Sequence, residues 1–321
     1  MKKAQLEVSF NWIFVILAGG AILFFFMNVV NTQTDQGRET LSRTITVRMD
    51  SIFSALESSP NSVQVNDRLN FDMQFSCLED GHSYTVNNGN ARNYLESQIL
   101  FSPHEIGSSR LITWTLKHQA PYPISNLLLV TDERTAYVFI GDDAKPLYDA
   151  MPEEFIKFHY TTIDEFEDQG HRKYVVVRQA VIGDSLELPP ALNRKTSIVR
   201  FTGINSGNIE FQGQGDNNNN IKFYGREILF AAIITGDKDL FNCGLEKLKE
   251  KSKIMHEIMH KKSIKIRERD ELSQSCGALY QDHFLNPMND TLKTNPFDAG
   301  AISQIRDHNT RLTRGSCPTI Y

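Results

Sequence analysis

The chain has 321 residues, room for one large domain or two ordinary ones. Hydrophobic residues make up 40% and charged residues 23%, globular values that exclude a wholly disordered or collagen-like chain. A net charge of −5 with scattered basic residues argues against a nucleic-acid partner, and a mean hydropathy of −0.35 argues against a polytopic membrane protein.

The segment Val8 to Val30 departs from that average. Trp12 to Met27 carries no charge, and with its flanks the run spans a hydrocarbon core of about 30 Å at about 1.5 Å per residue. A buried core helix rarely carries Phe24, Phe25 and Phe26 beside Ile22 and Leu23. Lys2 and Lys3 precede the run, whereas Arg38 faces Asp35 and Glu39 beyond it. The positive-inside bias predicts a single-pass protein of the cell membrane, N-terminus cytoplasmic and everything after Asn31 outside. A cleavable secretory signal needs small residues at a one-apart spacing after the run, and Asn28-Val29-Val30-Asn31 does not supply them. The run therefore reads as a signal-anchor.

Met1-Lys2-Lys3-Ala4-Gln5-Leu6-Glu7 resembles the class III signal peptide of archaeal type IV pilins and pilin-like proteins. The resemblance implies cutting after Lys3-Ala4, with Gln5 as the new N-terminus and the apolar segment retained as the mature helix. It departs from the commonest form in Ala4, where Gly is usual, and in the acidic Glu7. It also implies that the helix embeds its first half and packs its second half on a β-rich head. The partners implied are the lipid bilayer and, through the N-terminal helix, further copies or envelope proteins.

Residues 31 to 58 lack Pro, and Leu41, Ile45, Met49, Ile52 and Leu56 recur at helical spacing with Phe53 beside them. Ser58-Ser59-Pro60-Asn61 stops the helix. A juxtamembrane or coiled-coil stalk fits this pattern as well as a pilin-like helix does.

Beyond the stalk, Leu69, Phe71, Met73 and Phe75 alternate with polar residues, the period of a half-buried strand, and Ser83 to Val86 is its partner. Leu111 to Leu116, Asn126 to Thr131 and Ala136 to Ile140 are further strands. Then comes an alternation: a helix at Ala144 to Met151, a strand at Lys157 to Tyr160, a short helix at Ile163 to Asp168 and a strand at Tyr174 to Val177. That order predicts a small α/β unit with parallel pairing. Ser197 to Phe201, Asn208 to Phe211 and Ile221 to Tyr224 return to β, with Gly213 to Asn220 as a hairpin tip. Ile228 to Ile234 reads as a buried strand. Asp237 to Lys262 is a long helix whose seam is Phe241, Leu245, Leu248, Ser252, Met255 and Met259. Asp270 to Tyr280 and Ala299 to Leu312 read as shorter helices. The fold class is α+β, divided into a leader (1–7), a transmembrane helix (8–30), a stalk (31–59), a body (60–235) and a C-terminal helical region (236–321). The layout and the closing Arg314 to Tyr321 are similar to uncharacterised single-pass proteins of small-genome archaea, a resemblance that carries no activity.

Cys77, Cys243, Cys276 and Cys317 all fall on the outer side, which favours disulfides. Four cysteines allow three pairings. The preferred one joins Cys243 to Cys276, tying the long helix to the segment after it, and leaves Cys77 with Cys317.

His256-Glu257-Ile258-Met259-His260 is an HExxH pattern on that helix and resembles the zincin metallopeptidases over these five residues. Two His at i and i+4 can both reach Zn²⁺, with Glu257 as general base for metal-bound water. The flanks disagree. Lys261 and Lys262 follow directly, and only Asp282, His283, Asp298, Asp307 or His308 remain as further ligands. Lys249 and Lys253 share the helix face, which predicts solvated His256 and His260. Asp132, Asp142 and Asp143 end strands, where acidic loops can hold Mg²⁺ or Ca²⁺, but Asp is also the ordinary turn residue. Thr161-Thr162-Ile163-Asp164-Glu165 reads as helix capping. Asn289-Asp290-Thr291 is a glycosylation sequon on the outer side. The expectation is an anchored, outward-facing protein with a structural or interaction role and no cofactor. The alternative is an anchored zinc metallopeptidase.

Overall fold

A computed structural model of the chain describes residues 2–78, 81–87, 92–95, 98–180, 188, 196–212, 220–268, 276, 278–280 and 290–321. Helix α1 (Lys2–Glu57) is continuous. Its apolar stretch touches nothing else: Trp12, Leu23, Phe24 and Phe25 are all exposed, and Val15–Gln33 is long and apolar enough to cross a membrane. From Ile45 onward the predicted stripe turns inward. Met49, Phe53 and Leu56 are buried against Met73, Phe75, Tyr84 and Val86. Polar contacts fix the helix on its seat. The Tyr84 hydroxyl donates to Asp50 Oδ1 at 2.7 Å, Asn93 Nδ2 to Thr46 Oγ1 at 3.0 Å and Asn126 Nδ2 to the Glu57 carbonyl at 2.6 Å.

The seat is a six-stranded sheet. It contains β1 (Val63–Leu78), β2 (Gly81–Val86), β3 (Asn93–Tyr94), β4 (Ile99–Phe101), β5 (Glu105–Gln119) and β6 (Pro123–Asp132) in the order β3-β2-β1-β5-β6-β4. The period-two segment is the second half of β1, with Met73 and Phe75 buried as the alternation requires. All pairs are antiparallel except β4 with β6.

Asp132 turns the chain into a second sheet. Its Oδ1 accepts from the Arg134 amide and the Thr135 hydroxyl, and its Oδ2 from the Gly107 amide, each at 3.1 Å. The second sheet holds β7 (Thr135–Ile140), β8 (Ile156–Tyr160), β9 (Lys173–Gln179), β10 (Thr196–Thr202), β11 (Ser206–Gln212) and β12 (Ile221–Tyr224), in the order β12-β11-β10-β9-β7-β8. The strands β7 to β10 run parallel and β11 and β12 antiparallel, the small α/β unit that the sequence predicts. Helix α2 (Lys145–Ala150) links β7 to β8. The short helix expected over Ile163 to Asp168 shrinks to one turn, Ile163–Glu165.

Ile228 to Ile234, expected as a strand, is instead helical: α3 (Arg226–Thr235). A short apolar run has no period that separates a buried strand from a buried helix. Glycines decide it here. Gly225 (φ 103°) precedes the helix, and Gly236 (φ 57°) ends it in the left-handed conformation that closes helices. The helix lies between the sheets, with Phe230 against Trp114 of β5 at 4.8 Å between rings.

Helix α4 (Lys238–Arg267) is capped by Asp237, whose carboxylate accepts from the amides of Asp239 and Leu240 at 3.0 Å. Phe241, Leu245 and Leu248 join the main core. The rest of α4, helix α5 (Ala299–Arg314) and the tail build a second core around Ile266, Leu292, Ile302, Ile305 and Ile320. Of the helix expected over Asp270 to Tyr280, Ala278–Tyr280 is a 3₁₀ turn, while 270–275 and 277 lie outside the described residues. The hairpin tip at 213–219 also lies outside them, and β11 and β12 pair antiparallel on either side of it.

Phe53 is wholly buried whereas Val47, nearby on the same helix, is 69% exposed. Phe53→Ala should cost about 3–5 kcal/mol in urea unfolding. Val47→Ala should stay within about 0.5 kcal/mol. Equal effects would mean that α1 does not dock.

Candidate functional site

Both disulfides form, but not in the preferred pairing. Cys77 at the end of β1 bonds Cys243 on α4 (Cα–Cα 5.9 Å), and Cys276 bonds Cys317 in the tail (5.7 Å). Helix length is the reason. From Cys243 to Arg267, α4 runs about 36 Å. A bridge spanning about 6 Å would need the nine residues from Arg267 to Cys276 to double back over about 30 Å, nearly their full extended reach of about 32 Å. A shorter helix ending at Lys262 would have left the other pairing ample slack. On a chain-entropy argument each bridge stabilises by roughly 4–5 kcal/mol.

The HExxH residues divide between core and solvent. His256, expected to be solvated, is 1% exposed. The helix seam passes from Ser252 through His256 to Ser263 and Ile266, one position round from the expected Met255 and Met259, which are only half-buried. Tyr122, in the loop between β5 and β6, is the cause: its hydroxyl is hydrogen-bonded to His256 Nδ1 and the two rings meet edge to face at 5.2 Å. Glu257 points away, exposed, and accepts from Lys261 Nζ at 2.6 Å, which holds its carboxyl below the usual range. His260 is half-buried one turn on. Asp298 caps α5 by accepting from the Ala301 amide at 2.8 Å, and Asp282 and His283 lie outside the described residues. Among the described residues no group of three His, Cys, Asp or Glu is placed to share a metal ion.

Near His256 lies a buried hydrogen-bonded pair that the sequence does not reveal. His118 Nδ1 meets Glu227 Oε1 at 2.6 Å, and the edge of the Phe297 ring packs at 5.8 Å from the His118 ring. His118 and Glu227 come from β5 and α3, far apart in the chain, so no local spacing marks them.

Asp132 and the Asp142-Asp143 pair sit at opposite ends of β7, six residues or about 20 Å apart along the strand. They cannot share an ion, and Asp132 already accepts three internal hydrogen bonds. Glu165 does cap its turn, accepting from the Thr161 amide at 3.1 Å. Lys3, Ala4 and Gln5 lie in the first turns of α1, and Asn289 is outside the described residues.

Burial holds the His256 imidazole down to about 4, against the Pro296 carbonyl and with help from neighbouring His118. Burial likewise holds His82 at about 4, against the Leu240 carbonyl and with help from Lys247. Both are neutral in the fold. No known protein family, curated protein or solved structure matches the chain.

Two outcomes are expected. Non-reducing peptide mapping should recover Cys77 joined to Cys243 and Cys276 joined to Cys317, and a Cys243–Cys276 peptide would contradict the fold. For the histidines, the unfolded chain binds more protons between about pH 4 and pH 6.5. Stability is therefore complete above pH 6.5 and falls as pH drops toward 4, by on the order of 3 kcal/mol per histidine. The urea midpoint should decline already between pH 6.5 and 5, before most carboxylates titrate. The double variant His82→Gln/His256→Gln should flatten that window, and an unchanged slope would rule out neutral burial.

Proposed function

We propose that the chain is a single-pass surface protein, anchored by the first half of α1 with its N-terminus in the cytoplasm and its α+β body outside. Its role is structural or interactive rather than catalytic. The observation that carries this reading is the division of one continuous helix: Val15–Gln33 is apolar and unpacked, whereas Thr46, Met49, Phe53 and Leu56 are built into the first sheet. A stretch of exposed apolar side chains on a soluble helix would be strongly unfavourable in water, and a bilayer or a bundle of such helices relieves it. Charge supports the orientation, since Lys2 and Lys3 lie on one flank only. The cysteines support it independently, because both pairs are bonded and structural disulfides persist in oxidising surroundings.

The layout also supports the pilin-like reading of the first residues. A helix that embeds one half and packs the other on an antiparallel sheet is what that resemblance implies. In that reading the leader is removed after Ala4, Gln5 becomes the N-terminus, and the retained helices associate with one another or with envelope proteins.

Protease added to intact cells should digest the body, and terminal sequencing of the purified protein should begin at Gln5. A body protected until lysis would overturn the topology. A chain that begins at Met1 would keep the anchor and remove the pilin-like branch.

A further inference from the structure

A cleft of 460 Å³ opens where the two sheets meet. One wall is the amino ends of three parallel strands, with Thr135 on β7, Lys173 on β9 and Ser197 on β10. The other wall is the edge of the first sheet, with Glu105 and Gly107 on β5 and Asp132 on β6. The volume lies within the range of about 300–1,000 Å³ usual for small-molecule sites. Crevices in parallel sheets usually form at the carboxyl ends of the strands. This one forms at the opposite ends, so only its own residues argue for it.

The charges in the cleft are unevenly committed. Both of its acids are occupied: Asp132 accepts three internal hydrogen bonds, and Glu105 pairs with Arg172 at 3.3 Å. Two of its cations are not. Among the described residues no carboxylate pairs with the exposed guanidinium of Arg134 or with the ammonium of Lys173. Lys173 is mostly enclosed, and burial holds its pKa below the ordinary lysine range even though Asp237, Asp132 and Glu105 pull the other way. Gly107 lets the Asp72 carboxylate and Arg134 approach the strand closely: a Cβ there would lie 2.5 Å from Asp72 Oδ1 and 3.2 Å from Arg134 Nη1.

We propose that this cleft binds a small ligand bearing an oxyanion, a carboxylate, sulfate or phosphate group, which Arg134 and Lys173 hold and beside which Ser197 offers a hydroxyl. Arg134 supplies a planar fork that matches two oxygens of such a group, and Lys173 supplies a point charge from the wall. The internal bonds of Asp132 and Glu105 commit those two carboxylates elsewhere, and the neutral parts of the ligand face the strand ends.

The test is titration calorimetry on the full chain in detergent micelles. The probes are inorganic sulfate, inorganic phosphate, glucuronate and, as a neutral control, glucose. At least one anion should bind and glucose should not. Glucuronate binding without phosphate or sulfate would identify a carboxylate ligand, and the reverse an inorganic or ester oxyanion. Arg134→Ser should weaken binding by roughly tenfold or more while leaving the thermal midpoint in place, because Arg134 is exposed. Lys173→Met should weaken it similarly. Should that buried-site variant fail to fold, Arg134→Ser alone decides. No anion bound at about 10 mM, equal binding of glucose, or binding untouched by Arg134→Ser would each overturn the proposal.

Discussion

Every residue from Ile228 to Thr235 is buried, so α3 needs apolar cover around its whole circumference. No single sheet can give that. Trp114, Leu127 and Leu129 cover it from the first sheet, and Val175, Val199, Phe201 and Phe211 close the same core from the second. The two sheets share no strand. A common helix and the Asp132 corner hold them together. Each sheet then has an outer face to cover. The first lays its outer face against α1, and the second buries Val138, Tyr174 and Val176 beneath Phe166 and its neighbours. The layering follows from one decision, that the apolar run coils into a helix rather than joining an edge.

Much of this was legible along the chain. Alternation identified β1, the strand–helix–strand order identified the parallel unit, and helical spacing identified the docking stripe of α1. What stayed hidden depended on distance. Ile228 to Ile234 carries no period because it has no solvent side. The cysteine pairing turned on where α4 stops, and five further residues of helix left Cys276 almost no slack to return to Cys243. The oxyanion cleft had no local signal at all. Arg134 and Lys173 are separated by a whole βαβ excursion, and they meet only because β7 and β9 are neighbours.

The HExxH helix shows how little a spacing says about a direction. Residues at i and i+4 do lie near one another on a helix. Which way that face points is a tertiary matter, and here Tyr122 draws His256 inward while Lys261 holds Glu257 outward. His118, hydrogen-bonded to Glu227, lies close enough to His256 to lower its basicity.

The bond between Cys77 and Cys243 has a mechanical meaning. A pull on the body against a fixed anchor would travel up α1 into β1, a central strand gripped on both sides by β2 and β5. Such a strand resists in shear, with its hydrogen bonds loaded together. At Cys77 the force can leave the sheet through a covalent link and pass straight into α4, across a sequence separation of 166. The parallel sheet and the whole of α3 then lie off the line of tension. Drag on the C-terminal region would reach α1 without prying the two sheets apart.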